Sequence, residues 1–322
     1  MEWSEIDWKA LERLRAAFLD GSAGAADYWQ SESDLASYDT TFAQRIGWKW
    51  DYVLGELARR GWVAPPGDVL DWGCGSGVAG RAFLDHFGTN GVTALWLWDR
   101  STPAMQFAAR RAREKYPGLV VNTGLGAPPA TLLISHVLGE LTIEQTRALA
   151  EFAAAATAVL WVEPGTYEAS LTLIAVRERL RDRLHVVAPC THAARCGLLT
   201  PGNERHWCHH FATPPPEVFT DGRWARFANL VGIDLWSLPL SFLVMDRRPA
   251  PALPVGAARV LGRPRVYKAL ARLLGCDPTG VAESTLTQKR LPGAFKQLKR
   301  GGYDPLQVWQ REGKEIVASR PL

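Results

Sequence analysis

The sequence predicts an α/β fold built on a mainly parallel sheet, with a helical region before it and a small β-rich appendage after it. Three observations predict this. Short apolar runs alternate with amphipathic stretches between residues 65 and 249, the order that yields parallel strands covered by helices on both faces. A glycine-rich turn, Asp71-Trp72-Gly73-Cys74-Gly75-Ser76-Gly77, joins the first apolar run to the first amphipathic one. A segment rich in Cys, His, Pro and Trp, residues 189–240, then breaks the alternation.

The elements follow in order. Residues 1–64 read as helical. Ile6, Ala10, Leu14 and Phe18 fall four apart with Leu11 beside them, and from Thr40 to Arg60 the residues Phe42, Ile46, Trp50, Val53, Leu54 and Leu57 share one face. Pro65-Pro66-Gly67 stops the helical region. Strands are expected at 69–72, 94–98, 119–121, 132–134, 159–162, 185–187 and 241–245, and helices at 78–87, 103–115, 143–157 and 167–183. Pro103 stands at a tolerated first-turn position of its helix. Residues 65–249 thus form a core with the insertion 189–240 inside it, and 250–322 form a separate appendage with β-like runs at 258–261, 266–270 and 281–287.

The 322 residues are enough to bury a sizeable core. No apolar run reaches the ~18–20 residues of a membrane span. The start, Met1-Glu2-Trp3-Ser4-Glu5, lacks the basic-then-apolar order of a signal peptide, so a cytoplasmic protein with reduced cysteines is expected. The net charge of +4 is unevenly spread: residues 251–322 hold 13 Lys and Arg against 5 Asp and Glu. A basic appendage on a mildly acidic body suits a polyanion partner, or is simply a solvated face.

Glycines in the turn let the backbone approach a ligand with no Cβ in the way, and the helix amides beyond it favour negative charge. Their alternate spacing differs from the Gly-x-Gly-x-x-Gly of dinucleotide folds. With Asp71 ahead of it, the turn resembles motif I of class I S-adenosylmethionine-dependent methyltransferases. That resemblance implies cofactor binding by Asp71, Gly73, Gly75 and Gly77, with Asp99, ending the second strand, on the ribose hydroxyls. Cys74 reads as a small filler. After the fourth strand, Ser135-His136-Val137-Leu138 replaces the Asn/Asp-Pro-Pro-Tyr of amino-methylating enzymes. His136 is counted among the cofactor-binding candidates; it and Glu140 stand where they line the pocket or serve structural roles, and no catalytic residue is assigned. Pro189-Cys190 is the dipeptide of a cytosine-C5 nucleophile, but Cys190 belongs to a cluster and reads as a ligand.

That cluster is Cys190, Cys196 and Cys208, with His206, His209 and His210 close to the third cysteine. The gaps are wider than the two to four residues of zinc ribbons. Three thiolates plus an imidazole suit zinc; four thiolates, with Cys276 as the fourth, suit zinc or an iron–sulfur cluster.

Pro189-Cys190-Thr191-His192, Cys196 and Trp207-Cys208-His209 together resemble the mitochondrial-type small ribosomal subunit, Rsm-type methyltransferase-like family. Arg45-Ile46-Gly47-Trp48-Lys49-Trp50-Asp51, Glu163-Pro164-Gly165-Thr166, Gly262-Arg263-Pro264 and Cys276-Asp277-Pro278-Thr279-Gly280 support this over residues 35–300. The resemblance implies S-adenosylmethionine binding, action on the small ribosomal subunit or its rRNA, and a [4Fe–4S] cluster on Cys190, Cys196, Cys208 and Cys276. The gap between Cys196 and Cys208 is longer than the family leads one to expect. A cluster there would fasten the insertion to the appendage and orient Arg259, Arg263, Arg265, Lys268, Lys289, Arg290, Lys296, Lys299 and Arg300 for phosphate contacts. Trp207, Trp224 and Trp236 are candidate base-stacking groups, with core packing as the alternative. Two other readings stay open: a non-catalytic small-subunit assembly factor, and a zinc-containing methyltransferase of small molecules.

Overall fold

The computed structural model describes residues 3–20 and 28–322. Residues 1, 2 and 21–27, which fall within the expected helical region, lie outside the described residues. The chain opens with α1 (Trp8–Asp20), α2 (Glu32–Thr40) and α3 (Phe42–Arg59). The expected helix over 40–60 begins one residue past Thr41, where the backbone leaves helical geometry between α2 and α3. Ser31 caps α2 by accepting from the Asp34 amide.

The core continues with β1 (Gly67–Trp72), α4 (Val78–Phe87), β2 (Val92–Trp98), α5 (Thr102–Lys115), β3 (Val121–Thr123), β4 (Thr131–Ser135), α6 (Ile143–Ala153), β5 (Ala158–Pro164), α7 (Tyr167–Leu180) and β6 (His185–Ala188). Within the insertion lie a short strand, β7 (His210–Phe211), and a helix, α8 (Gly222–Val231); β8 (Pro239–Asp246) closes the sheet. The strand order is β3-β2-β1-β4-β5-β8-β6. β1 to β5 pair in parallel, while β8 runs antiparallel to both β5 and β6. This order, reversing at β1 and β4 and carrying a late antiparallel strand, is the class I methyltransferase fold.

Side-chain alternation along the strands separates two layers. Val69, Leu160 and Val162 join Trp50, Leu54, Phe83 and Ala108 beneath α3, α4 and α5. Leu70, Val159 and Trp161 join Leu149, Leu173 and Leu180 beneath α6 and α7. Helix α8 lies in the segment that breaks the alternation of strands and helices. Its Trp224, Phe227 and Val231 pack on Ile6 and Leu11, so its apolar face is completed by the N-terminal region.

The appendage is more ordered than its sequence suggests. It holds β9 (Ala257–Val266), β10 (Leu270–Asp277), β11 (Gly280–Thr287), α9 (Pro292–Lys299), β12 (Leu306–Glu312) and β13 (Glu315–Pro321). The strands close a barrel in the order β10-β11-β13-β12-β9. Ala258, Leu273, Leu286, Phe295, Trp309 and Ile316 fill it.

Barrel and core are joined by buried charge. Arg259 and Arg60 both pair with Glu56, and all three side chains are at most 1% exposed. Arg60 also donates to the carbonyls of Val187, Pro189 and Cys190, and Arg259 to that of Pro189. Arg259 is therefore not one of the surface phosphate contacts expected from the sequence. On β9 it points out of the barrel toward α3, and its charge is neutralised by Glu56.

Candidate functional site

A cavity of about 990 Å³ opens at the carboxyl ends of β1, β2 and β4, where ligands bind in open α/β sheets. The glycine turn forms part of its wall. Gly73, Gly75 and Gly77 take φ of 70°, 50° and 81°, values that a side chain disfavours. A Cβ on Gly73 would sit 2.7 Å from Val137 Cγ1. The Gly73 and Cys74 amides donate to the Trp98 carbonyl, pinning the turn to the end of β2. Cys74 is buried there, and burial with the nearby Asp71 and Asp99 pushes its thiol pKa well up, as suits a filler.

Asp71 is fully buried and holds the start of α4: its Oδ2 accepts from the Gly80 amide at 2.8 Å. Burial outweighs that bond and raises its pKa to about 7. Asp71 thus braces the turn from below, whereas Asp99 lines the cavity. The Asp99 carboxylate accepts from the Gly75 amide and the Ser101 amide, both at 2.9 Å. Two backbone donors fix its orientation at the rim.

The floor beyond β4 is a polar group that the sequence only partly revealed. Among the described residues, His136 is the non-glycine residue with positive φ, 57°. Its Nε2 lies 3.0 Å from Lys49 Nζ and its Nδ1 3.2 Å from Ser135 Oγ, which also accepts from Trp50 Nε1 at 3.0 Å. When Lys49 is protonated its ammonium donates only, so Nε2 is then the acceptor and Nδ1 carries the ring proton. Burial, then the neighbouring Arg45, lowers the Lys49 pKa to about 7, with Glu163 partly offsetting the fall. Burial and Lys49 hold His136 neutral, well below its usual range. Glu163 accepts from the Val137 and Leu138 amides and from Trp161 Nε1, and burial still raises it to about 7. Glu140 faces the cavity too, near Tyr28 and Arg100, and burial raises it to about 7. Lys49 and Glu163 stand in the stretches 45–51 and 163–166, singled out as motifs but not as site residues. Nothing in sequence spacing places α3 over the end of β4.

Cys190, Cys196, Cys208 and Cys276 lie near enough to one another to interact electrostatically. Cys196 and Cys276 are buried in one cluster with Ile174, Leu198 and Leu261, and Cys208 packs against it. Cys190 packs on the α6–α7 layer but acts electrostatically on the other three. Burial first, then repulsion by neighbouring thiols, raises the pKa of Cys196, Cys208 and Cys276. Arg177, anchored to the carbonyls of His192 and Ala194, is the cation beside Cys190 and Cys196. Gly197 lets the insertion touch the β10–β11 turn, where a Cβ would lie 2.7 Å from the Val281 amide. His210 Nε2 is 3.6 Å from Cys208 Sγ and His192 Nε2 is 3.6 Å from Cys276 Sγ, whereas His209 stacks on Trp207. No group of three or more His, Cys, Asp or Glu side chains among the described residues is arranged as a metal-ion site. Of the three tryptophans, Trp224 is buried against Trp3 and Phe227, Trp207 donates to the Gly165 carbonyl, and Trp236 is 72% exposed and stacks on Phe219.

Residues 51–303 match the family described as mitochondrial small ribosomal subunit Rsm22. No curated protein sequence shows significant similarity. Among solved structures, the chain is similar to a proposed RNA methyltransferase from Pyrococcus horikoshii, at 11% identity and a TM-score of 0.40 over 62% of this chain and 83% of that one. It is also similar to magnesium protoporphyrin IX methyltransferase from Synechocystis, at 12% identity and a TM-score of 0.41 over 74% and 97%. No helix among the described residues is long and apolar enough to cross a membrane.

Proposed function

Because the chain belongs to the mitochondrial small ribosomal subunit Rsm22 family, we propose that it is an S-adenosylmethionine-binding, iron–sulfur-containing methyltransferase acting on the small ribosomal subunit, with its rRNA as substrate. The observation that carries the cofactor assignment is the cavity over the glycine turn, with Asp99 clamped at its rim by two amides. Gly73, Gly75 and Gly77 leave the backbone open to the ligand, Asp71 holds the turn against α4, and Asp99 accepts from ribose hydroxyls. The bound cofactor supplies an electrophilic methyl group. His136 closes the floor as a neutral ring held by Lys49 and Ser135. Lys49 and Glu163, each with a pKa of about 7, are groups at that floor able to hold or release a proton near neutrality.

Cys190, Cys196, Cys208 and Cys276 are the proposed ligands of a [4Fe–4S] cluster. Four cysteines near one another, with Arg177 beside Cys190 and Cys196, offer the donor chemistry of such a group. Four cysteine donors suit an iron–sulfur cluster or zinc, and the family resemblance is what favours the cluster. Its role is structural, tying the insertion to β10. A reducing, cytoplasmic setting is part of this proposal, since the ligands bind as thiolates; the family description itself names the mitochondrial subunit.

A second reading is a non-catalytic assembly factor. One observation favours it: the wall after β4 offers a Lys49–His136 pair instead of the acceptor-binding motif of amino-methylating enzymes. Transfer of labelled methyl groups to naked small-subunit rRNA and to immature subunits distinguishes the two. Transfer to either is expected; none to both, with subunit binding retained, overturns the enzyme reading. Anaerobically prepared protein is expected to be brown, with visible absorption that bleaches on oxidation. A colourless protein containing zinc and no iron overturns the cluster assignment.

A further inference from the structure

The barrel has a docked end and a free end. At the docked end, Cys276 pairs with Arg259 in register, and the turn before β11 meets Gly197 of the insertion. The opposite end gathers the β9–β10 loop (267–269), the connection from β11 to α9 (288–291) and the β12–β13 turn (313–314). Their neighbourhood follows from the ladder: Leu270 is paired with Thr287, Gln288 N–H donates to the Ala269 carbonyl, and Thr285 N–H donates to the Lys314 carbonyl. The strand order, read from β9 as first, is 1-2-3-5-4 with a helix between the third and fourth, and the third and fifth strands are parallel. That is the oligonucleotide/oligosaccharide-binding barrel, whose first-to-second and fourth-to-fifth loops flank the ligand face on strands 2 and 3.

The free end has the chemistry for a nucleic-acid strand. Tyr267 is 47% exposed at the tip of the first loop, with Arg272 over its ring. Arg265, Lys268, Arg272, Lys289, Arg290 and Lys314 lie on these loops or on the strand ends beside them. The acidic residues there are Glu283, paired with Arg265 and Arg272, and Glu312 and Glu315, both paired with Arg290. Lys268, Lys289 and Lys314 have no carboxylate partner among the described residues, so the end carries surplus positive charge. A polyanion fits this surplus better than a neutral sugar does.

We infer that this free end, Tyr267 with Lys268, Lys289 and Lys314, binds single-stranded RNA, the tyrosine stacking on an unpaired base and the lysines contacting phosphates. This deepens the reading of rRNA as partner and rests on it. The rRNA would be gripped at the barrel while the cavity lies across the buried Glu56–Arg259 joint.

The test is fluorescence anisotropy of the full chain with a short labelled single-stranded oligoribonucleotide and with its duplex. Binding of the single strand in preference to the duplex is expected. Charge reversal at Lys268, Lys289 and Lys314 together should weaken it more than ~10-fold and reduce the slope of log K against log salt by about 2. Tyr267→Ala should weaken it ~5-fold or more with the salt slope unchanged. Neutralising Lys296 and Lys299 on α9, with Arg300 at its C-terminal end, is the comparator. If those changes abolish binding while the loop variants bind like wild type, or if the wild type shows no preference for single strands, the inference is wrong. Calorimetric S-adenosylmethionine binding reports separately: its loss in the wild type would sink the cofactor reading and leave the oligonucleotide result standing.

Discussion

Lys49 and Glu163 both line the cavity, and burial draws the pKa of each toward 7. The consequences for stability have opposite signs. Between about 4.5 and about 7, folded Glu163 keeps a proton that the unfolded chain has lost. Stability from this group is therefore full at low pH and falls as pH rises to about 7. Asp71 acts in the same direction. For Lys49 the unfolded chain holds the extra proton between about 7 and 10.5, so stability rises with pH across that window. Glu163→Gln keeps an oxygen for the Val137 and Leu138 amides while removing the titration. Its Tm should decline less than that of the wild type from pH 5 to 7, and parallel Tm–pH curves would falsify the assignment. At the turn, Gly73→Ala forces a Cβ against Val137 at positive φ. A loss of about 1–3 kcal/mol is expected by denaturant titration, with S-adenosylmethionine affinity falling alongside it. The glycines, Asp71 and Asp99 were visible in the sequence because their spacing is local. Lys49 was not, because its relation to His136 spans 87 residues.

At the scale of elements, α3 is the joint between the core and the barrel. Its apolar stripe was legible from periodicity, and Trp50, Leu54 and Leu57 are indeed fully buried. Glu56 lies between them in the sequence, and nothing there distinguishes it from a solvated carboxylate. In the fold it is wholly buried between Arg60 and Arg259. Burial alone would raise its pKa, but the two guanidiniums reverse this and hold it low. Removing one partner of a buried ionic group strands the others, at a cost of about 3–5 kcal/mol. Glu56→Ala should therefore destabilise the protein by that amount in chemical denaturation, and Glu56→Ala combined with Arg259→Met should recover part of it. Equal stability of the single and double variants would show that Arg259 is satisfied by the Pro189 carbonyl alone. The same logic explains why Arg259 looked like an RNA contact: a basic residue in a basic segment declares its charge but not the face it occupies.

For the molecule as a whole, the insertion, the barrel and α3 meet around the cysteines. The proposed cluster makes that meeting cooperative. Cys276→Ser should raise amide hydrogen exchange in residues 190–211 and in β9–β10 together, by mass spectrometry. A rise confined to β10 would show that the thiols do not couple the two parts. The alternation of strands and helices, the position of the glycine turn, and the gathering of chemistry at residues 189–210 and 276 follow from the sequence itself, since each depends on residues near one another in the chain. Helix α8, strands β12 and β13, closure of the barrel, the burial of Arg259 and the polar floor around Lys49 were decided by the tertiary structure alone. Each depends on a partner surface contributed from far along the chain, and side-chain periodicity records which residues avoid water but not which neighbour covers them.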